Sequence, residues 1–455
     1  MRNTPLSFAA RVCVPLAALI GAGALVPGRS EGFGLLGGSL GLHQRDFRIW
    51  NNFTDPEAND NLTPDPDFPG ALGAELAIWK GVAEWGSAPH GSGGTDPLQD
   101  VLGSGQSNFD AFYSAESLGP GNKNANVLSQ LDGTAFIKAF TEIPIRDGWR
   151  IRFYEDPWTW NDGPDDVVSG PDAWDLQGVA CHEYGHALGL GHSSVPGSTM
   201  FASSPDKALD FRSIEADDVA GVQFLYGVTS PNKPRIEGYE VFSGGVILRG
   251  TGFHPTDNEV WFTHLSPVTG PDGTPLKRKG IPSQFGGTLM RFKVPLAAGP
   301  GEVLVRVPGA GPERVSNAFP FVPGQDPPGG PPQVYGAGKV TSAGIEARLS
   351  WWSLPSLTVG SFRARVQGGM PNRPGLLLSS ASPANLPFQG GTLLVAQPFL
   401  REQVLQLGFF GNLELDIAVP PLAVGDKRYY QVWFQDPADP FGSGLTNGLM
   451  ITVLP

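Results

Sequence analysis

Residues 181–192 read CHEYGHALGLGH and hold three of the seven histidines in the 455-residue chain. Residues four apart on an α-helix share a face, so His182 and His186 are expected to project side by side. Two imidazoles placed in this way can bind one zinc ion at about 2.0–2.1 Å. Gly189 then permits a backbone reversal that returns His192 as a third ligand. The spacing predicts a catalytic zinc site, with three protein ligands and one open position.

Glu183 lies slightly off the pair of helical histidines, close enough to act on a metal-bound water without binding the metal. Two simpler explanations compete, because a single HExxH match can arise by chance and a single buried histidine is usually a core residue. The longer pattern HExxHxxGxxH specifies five positions, so a chance match is very rare and both simpler explanations are disfavoured. Cys181 points elsewhere on the helix than His182, so a small buried thiol explains it better than a metal ligand.

Helices and strands are predicted on both sides of this motif. Apolar spacing predicts a helix over residues 71–85, and Leu176–Leu190 is expected to form the helix that carries the motif. Ala216–Tyr226 is expected to form a third helix, with two aspartates in its first turn. Strands followed by helices that carry the chemistry indicate an α+β domain over residues 32–228. Its predicted strands are residues 47–53, 134–140 and 149–154.

The rest of the chain is predicted to be β-structure. The Pro-rich stretches TSPNKP (229–234) and GQDPPGGPP (324–332) are expected to be exposed connectors. They delimit residues 235–323 and 333–455, whose short strands between Gly and Pro turns are typical of β-sandwiches. The predicted fold class is therefore multidomain, with an α+β catalytic domain followed by two all-β sandwich domains.

The composition limits the partners of the chain. Its formal net charge of −13 argues against nucleic acid or an anionic membrane as the main partner, and solubility is the simplest reason for the acidity. The 62 glycines and 44 prolines favour strands joined by turns over long charged helices.

Residues 1–31 have the pattern of a secretory signal. Arg2 and Arg11 precede an apolar run, residues 12–26, whose length suits a signal and is short for a membrane span. Cleavage is expected between residues 24 and 31, and an N-terminal membrane anchor is the alternative. We expect an exported, secreted and soluble protein that makes no membrane contact after cleavage. Because Cys181 would then be its only cysteine, no internal disulfide is expected.

His182–Met200, HEYGHALGLGHSSVPGSTM, closely resembles the zinc motif and methionine turn of the metzincin endopeptidases. Within that group it is most similar to the matrixins, which are matrix-metalloproteinase-like enzymes. Ser193 stands where adamalysin-type enzymes have Asp, and Ala202 stands where astacin- and serralysin-type enzymes have a metal-binding Tyr. Residues 153–160 and 216–227 extend the resemblance on both sides of the motif.

The resemblance implies a zinc-dependent endopeptidase that acts on proteins or peptides. It implies that Glu183 takes a proton from the water that attacks the peptide carbonyl and then delivers it to the leaving amine. Met200 would form the apolar floor beneath the ligands, and residues 134–140 are the candidate edge strand for the substrate. The zinc ligands implied are His182, His186 and His192.

The chain also departs from the matrixin pattern. It has no cysteine-switch motif, and the histidines of the family's second, structural zinc are missing. Calcium is a second candidate cofactor, with Glu155, Asp156 and Asp162 as possible oxygen ligands. A solvated acidic loop explains these three carboxylates equally well. The four remaining histidines are scattered at His43, His90, His254 and His264.

The two β-rich segments have resemblances of their own. Residues 235–323 resemble an IPT/TIG domain, an immunoglobulin-like sandwich, through GGVILRGTGFHPTDNEVWFT, KVP and EVLVRV…SNAFPFV. Residues 333–455 resemble C-terminal β-sandwich modules of large secreted bacterial proteins, through YGAG, FQGGTLLV and YYQVWFQDPADP. Such modules usually bind a ligand or act as spacers, and extracellular matrix or glycans are the candidate partners. Trp351 and Trp352 would stack on sugars if exposed, and burial in the core is the alternative.

Three functions remain in competition after these observations. The leading one is a secreted zinc endopeptidase. The second is a catalytically inactive, metzincin-like surface adhesion or binding protein. The intact Glu183 and the complete set of histidines argue against it. The third is a zinc hydrolase acting on a non-peptide bond.

Overall fold

A computed structural model describes residues 32–87, 106–121, 126–142, 148–164, 168–243, 245–268, 275–327, 332–351, 353–357, 360–423 and 425–454. The predicted signal at residues 1–31, as well as His90 and Trp352, lies outside the described residues. The chain divides into two compact units. The first comprises the residues up to Pro234 with Asp257–Gly280 and Pro295–Pro323, and the second comprises Arg235–Thr256, Ile281–Val294 and Gly324–Pro455. Among the described residues, no helix is both long enough and apolar enough to cross a membrane.

The helices and the first nine strands belong to the first unit. The helices are α1 (Gly73–Ala83), α2 (Leu176–Leu188) and α3 (Ala216–Tyr226), in agreement with the three predicted from apolar spacing. The strands are β1 (Gly34–Leu35), β2 (Asp46–Trp50), β3 (Phe112–Glu116), β4 (Val127–Thr134), β5 (Ala139–Glu142), β6 (Arg150–Asp156), β7 (Thr159–Asn161), β8 (Ala173–Asp175) and β9 (Leu190–Gly191).

The remaining strands make the molecule rich in β-structure. They are β10 (Arg235–Phe242), β11 (Gly245–Thr251), β12 (Asn258–His264), β13 (Leu276–Ile281), β14 (Ser283–Gln284), β15 (Leu289–Phe292), β16 (Ala298–Arg306), β17 (Phe319–Phe321), β18 (Gln333–Tyr335), β19 (Arg348–Trp351), β20 (Ser361–Gln367), β21 (Pro374–Ser380), β22 (Pro383–Phe388), β23 (Gly391–Val395), β24 (Leu400–Gln406), β25 (Leu413–Ala418), β26 (Lys427–Gln435), β27 (Ser443–Leu445) and β28 (Gly448–Thr452).

A five-stranded sheet with the order β3-β2-β4-β6-β5 forms the frame of the first unit. The pairs β2–β3, β2–β4 and β4–β6 are parallel, while the last strand, β5, runs antiparallel to β6. Apolar residues of the sheet and of helices α1 and α2 form one buried core. Because β5 is the terminal strand, its outer edge has no neighbouring strand among the described residues, and β5 packs against α2, which carries two of the motif histidines.

The strand predicted over residues 134–140 is not a single strand. Thr134 ends β4 and pairs with Asp156, whereas Ala139 begins β5 and pairs with Phe153. Both segments therefore pair with β6, and the chain must turn between them. The sequence did not reveal this turn, because residues 134–140 (TAFIKAF) are mostly apolar and contain neither Gly nor Pro.

The predicted connector at residues 229–234 is held against the first unit rather than free. The amide of Thr229 donates to the carbonyl of Gln106 at 3.1 Å. Lys233 forms a buried ion pair with Asp110, with side chains 9% and 2% exposed. These contacts fix the direction in which the chain leaves α3, so this stretch does not act as a flexible spacer.

A second sheet of the first unit, with the order β13-β12-β16-β17, packs on the edge strand β3. The buried carboxylate of Glu302 on β16 accepts hydrogen bonds from the Tyr113 amide at 2.8 Å and from the Trp79 indole at 3.2 Å. The hydroxyl of Thr263 donates to the Tyr113 carbonyl at 2.7 Å. Side chains of the second sheet thus satisfy the backbone groups that edge strand β3 leaves unpaired.

We expect the stability of the first unit to fall as the pH rises from about 5 to about 8. Burial raises the pKa of Glu302 to about 8 from an ordinary 4.5, so the folded state retains a proton that the unfolded chain loses. The free energy of unfolding therefore decreases through this window, by a contribution on the order of 3 kcal/mol. Urea unfolding at pH 5.5 and 8.5 measures this decrease in the free energy of unfolding. Glu302→Gln should flatten the dependence, and an equal pH dependence in both proteins would contradict the assignment.

The second unit contains four sheets, while the two-stranded sheets β1–β9 and β7–β8 belong to the first unit. The orders of the four are β10-β11-β15-β14, β18-β28-β26-β21-β24 with β27 on β26, and β19-β20-β25, together with the hairpin β22–β23. Side chains from the second and third of these sheets share one buried core. Strands from residues 235–323 contribute to both compact units. The domain bounds 32–228, 235–323 and 333–455 and the two sandwich domains stay predictions.

Candidate metal centre

Helix α2 is defined at both ends by local interactions. The carboxylate of Asp175 accepts a hydrogen bond from the Gly178 amide at 2.7 Å, which caps the N-terminus. Gly189 ends the helix with φ of 115°, a conformation that residues with a Cβ rarely adopt. The turn at Gly189 reverses the chain into β9, so that His192 returns toward the helix, as the sequence predicted.

The imidazoles of His182, His186 and His192 come together in the structure. The ring centroids lie 5.0 Å apart for His182–His186, 5.4 Å for His182–His192 and 5.0 Å for His186–His192. One candidate ligand nitrogen from each ring lies within 4.8 Å of the other two. Among the described residues this is the one group of three or more His, Cys, Asp or Glu side chains with such a spacing.

Backbone carbonyls fix the tautomers of two of these rings. Nδ1 of His182 lies 2.6 Å from the Thr199 carbonyl, and Nδ1 of His186 lies 2.8 Å from the Leu190 carbonyl. A carbonyl can only accept, so each Nδ1 carries the proton and each Nε2 keeps a free lone pair. Burial lowers the pKa of all three histidines, that of His192 to about 4. The rings are therefore neutral at neutral pH, which is the form that binds a metal ion. This donor set fits zinc.

The carboxylate of Glu183 is held beside the histidines by a residue of the edge strand. The hydroxyl of Thr141 on β5 lies 2.9 Å from Oε2 of Glu183 and 2.7 Å from the Glu183 carbonyl. Burial raises the pKa of Glu183 to about 7, and the hydrogen bond from Thr141 limits the rise. Sequence reasoning did not identify Thr141, because a threonine in a strand is ordinary and no motif marks it.

Met200 is fully buried beneath α2, in close contact with the helix at Gly185. A Cβ atom added at Gly185 would lie 2.2 Å from the Met200 sulfur and 2.6 Å from the Trp85 ring. Glycine at this position of the motif is therefore required by packing.

The turn that contains Met200 is fixed by a carboxylate from α3. Asp218 accepts hydrogen bonds from the amides of Thr199 at 2.7 Å and Met200 at 3.0 Å. Thr199 is the residue whose carbonyl contacts His182. From the sequence, Asp218 was assigned only a favourable place in the helix dipole. Its contacts show that it also orders the segment behind a histidine ring.

A buried ion pair links the loop after Met200 to the start of α2. Arg212 donates from Nε to Asp175 at 3.0 Å and from a terminal nitrogen at 2.5 Å, and both side chains are almost completely buried. Asp175 is also the N-cap of α2. The loop that carries Arg212 also carries Phe211, whose ring stacks on His182 with centroids 5.2 Å apart. Neither contact was predicted, because each joins residues at least 29 positions apart.

An open cleft of about 430 Å³ contains the histidines and Glu183. Residues of the turn before β5, of that strand and of the loop around Phe211 line the cleft. The cleft leaves the position between the three imidazoles and Glu183 accessible from solvent. Glu155, Asp156 and Asp162, predicted as calcium ligands, do not form a cluster of that kind within the described residues.

Comparisons with known proteins agree with the geometry of this part of the chain. The family model described as Matrixin matches residues 119–227. The chain is similar to matrilysin from Rattus norvegicus, with 49% identity over 69 residues, covering 15% of this chain and 23% of the relative. It is also similar to metalloendoproteinase 4-MMP from Arabidopsis thaliana, with 50% identity over 60 residues, covering 13% and 17%.

These similarities are confined to one part of each protein. The chain spans about a quarter or less of the length of the curated relatives that it matches. Among solved structures, red sea bream transglutaminase aligns with a TM-score of 0.13 and 11% identity, covering 57% of this chain and 37% of that one. A TM-score this low carries no argument about the fold.

Proposed function

We propose that the chain, whose residues 119–227 form a matrixin domain, is a secreted zinc-dependent endopeptidase that hydrolyses peptide bonds of extracellular proteins. One observation is the main support for this proposal. Three neutral imidazoles converge in an open cleft that also contains the carboxylate of Glu183. Three ligands with an accessible fourth position distinguish a catalytic zinc site from a structural one.

Each residue of the cleft has its own role in the proposed hydrolysis. A zinc ion held by His182, His186 and His192 would supply Lewis-acid chemistry and lower the pKa of water. Glu183 accepts a proton from the attacking water and returns it to the leaving amine, and a pKa near 7 suits both transfers. Thr141 orients the Glu183 carboxylate. The free edge of β5 offers backbone groups with which an extended peptide can pair.

Cleavage of casein by the purified full chain tests this function. We expect cleavage that stops when a zinc chelator is added and returns when zinc is restored. Cleavage that is insensitive to the chelator would reject the zinc mechanism. A folded, zinc-loaded protein that cleaves no protein substrate would favour the alternative, a catalytically inactive adhesion or binding protein.

Export is part of the proposal, because Arg2 and Arg11 precede an apolar run that suits a secretory signal. Expression in a secreting host, followed by N-terminal sequencing of the protein in the medium, tests it. We expect a new N-terminus between residues 24 and 31. Retention of the full-length chain in the membrane fraction would support an anchor instead.

Calcium is proposed at Asp162 together with Asp60. Asp162 is 3% exposed, its Oδ2 accepts from the Asn61 amide at 3.0 Å, and its Oδ1 has no hydrogen-bond partner. Burial and the neighbouring carboxyl of Asp60 raise the pKa of Asp162 to about 7, so ionising Asp162 in this site costs free energy. A bound divalent cation would offset that cost. We expect calcium to raise the thermal midpoint of the wild type, and Asp162→Asn to abolish the rise. An equal rise in both proteins would place the ion elsewhere.

Contact with extracellular matrix or glycans is proposed for the strands of the second unit. Trp351 is half-buried, and the guanidinium of Arg249 lies 4.7 Å from its ring centroid. One face of this ring is therefore covered, which leaves a smaller area for stacking on a sugar than an exposed Trp would offer. Binding of the full chain to immobilised glycans, compared with Trp351→Ala, tests the contact. Equal binding by both proteins would exclude Trp351 from it.

A further inference from the structure

Lys138 lies just before β5 and lines the candidate catalytic cleft. Its ammonium lies 3.9 Å from the ring centroid of Trp174 and 5.2 Å from that of Trp158. The two indoles contact each other edge to face, with centroids 6.2 Å apart. The Trp158 indole in turn donates to the carbonyl of Ile137 at 2.8 Å. The aromatic rings therefore hold the Lys138 side chain in a defined position, and their faces favour its charged form.

Within the described part of the chain, no acidic side chain neutralises the positive charge of Lys138. Among the residues that the structure describes, no carboxylate lies within 4 Å of its ammonium, and none of its N–H groups meets a hydrogen-bond acceptor. Burial lowers the pKa of Lys138, because the partly enclosed ammonium loses part of its hydration. A partly desolvated cation with free donors attracts a carboxylate more strongly than a fully solvated one does.

The cleft places this cation where a substrate would lie. Lys138 and Trp174 line the same cleft as Glu183 and the three histidines, and Glu183 is the only carboxylate among the described residues that line it. Thr141, which orients Glu183, follows Lys138 by three residues. Because Lys138 lies in the bend before β5, the two positions are separated by at most roughly 10 Å, at about 3.3 Å per residue. A peptide paired along β5 would therefore reach Lys138 about three residues away from the scissile bond.

We propose that the cleft contains a subsite for an acidic side chain, Asp or Glu, which pairs with the ammonium of Lys138 on its aromatic support. This proposal rests on the proposed function and adds to it a class of substrate, namely peptides with a carboxylate about three residues from the cleaved bond. The net charge of −13 repels acidic substrates at long range, so recognition of such a peptide requires a local cation. The subsite would favour acidic sequences and reject those with Lys or Arg at the same position.

Cleavage of a proteome-derived peptide library by the zinc-loaded full chain is the first test. We expect Asp and Glu to be enriched at one position of the cleaved peptides. Cleavage without such enrichment would overturn the subsite and leave the peptidase standing. A wild type that cleaves no peptide at all would overturn the proposed function, and the subsite with it.

Matched peptides with Glu or Gln at the enriched position then assign the preference to Lys138. We expect the wild type to show a kcat/KM about tenfold higher for the Glu peptide, as one charge-assisted contact allows. Lys138→Met, which keeps an unbranched stem against the two indoles, should bring this ratio close to one. Lys138→Glu should invert the preference in favour of a Lys peptide.

A lysine outside the cleft provides the matched control. Lys279 on β13 is 73% exposed, so Lys279→Met removes the same charge without touching the cleft. This variant should retain the wild-type ratio. A ratio that falls equally in both variants would mean that overall charge, and not a subsite, sets the preference. A wild-type ratio in Lys138→Met would exclude Lys138 from recognition.

Discussion

Glu183→Gln is expected to lower kcat/KM for peptide cleavage by about 10²- to 10⁴-fold, the usual contribution of a general base. The amide has the shape of the carboxylate and can still accept the hydrogen bond from Thr141, but it cannot take a proton from water. The three histidines are unchanged, so zinc should remain bound at one ion per chain. Steady-state kinetics and metal analysis of the same preparation measure both quantities.

Glu116→Gln is the control for this substitution. Glu116 is exposed at the end of β3, outside the cleft, so its amide variant should cleave peptides at the wild-type rate. If Glu183→Gln retained full activity with zinc bound, Glu183 could not be the base. If it lost both activity and zinc, the residue would have a role in binding the metal instead.

His192→Ala is expected to release zinc and to abolish cleavage while the protein stays folded. Changes in groups that only support metal ligands typically cost 10- to 100-fold in affinity, so the loss of a ligand should cost at least about 100-fold. His192 follows α2 and is only partly buried, which limits the damage to the core. Competition with a chromophoric chelator measures the affinity, and circular dichroism checks the fold.

His254→Ala is the matched control, because His254 belongs to the second unit and not to the histidine cluster. It should bind zinc with wild-type affinity. Tight zinc binding by His192→Ala would contradict a three-histidine site and would require another ligand in the cleft.

Local patterns predicted the elements that carry the candidate site. The spacing of His182 and His186 and the stop at Gly189 depend on residues within one helix, so the sequence alone defines them. Two strands were also predicted within a few residues, since residues 47–53 correspond to β2 and residues 149–154 correspond to β6. The turn between β4 and β5 was missed, because it depends on which strand each segment pairs with.

Contacts between distant residues explain most of what the sequence could not predict. Thr141 and Glu183 are 42 positions apart, and Tyr113 and Glu302 are 189 positions apart. The sequence contains no pattern that identifies such pairs, because neither residue is unusual within its own segment. Lys138 was missed for the same reason, since its aromatic support comes from two later segments. A lysine beside tryptophans that are distant in sequence carries no local signal.

X-ray absorption spectroscopy at the zinc edge of the zinc-loaded full chain tests the central claim most directly. The account predicts one zinc ion per chain with nitrogen and oxygen neighbours at about 2.0–2.1 Å, of which three are imidazoles. A sulfur neighbour at about 2.3 Å, which would place Cys181 on the metal, would contradict it. Failure of the folded chain to bind a stoichiometric zinc ion would contradict it as well.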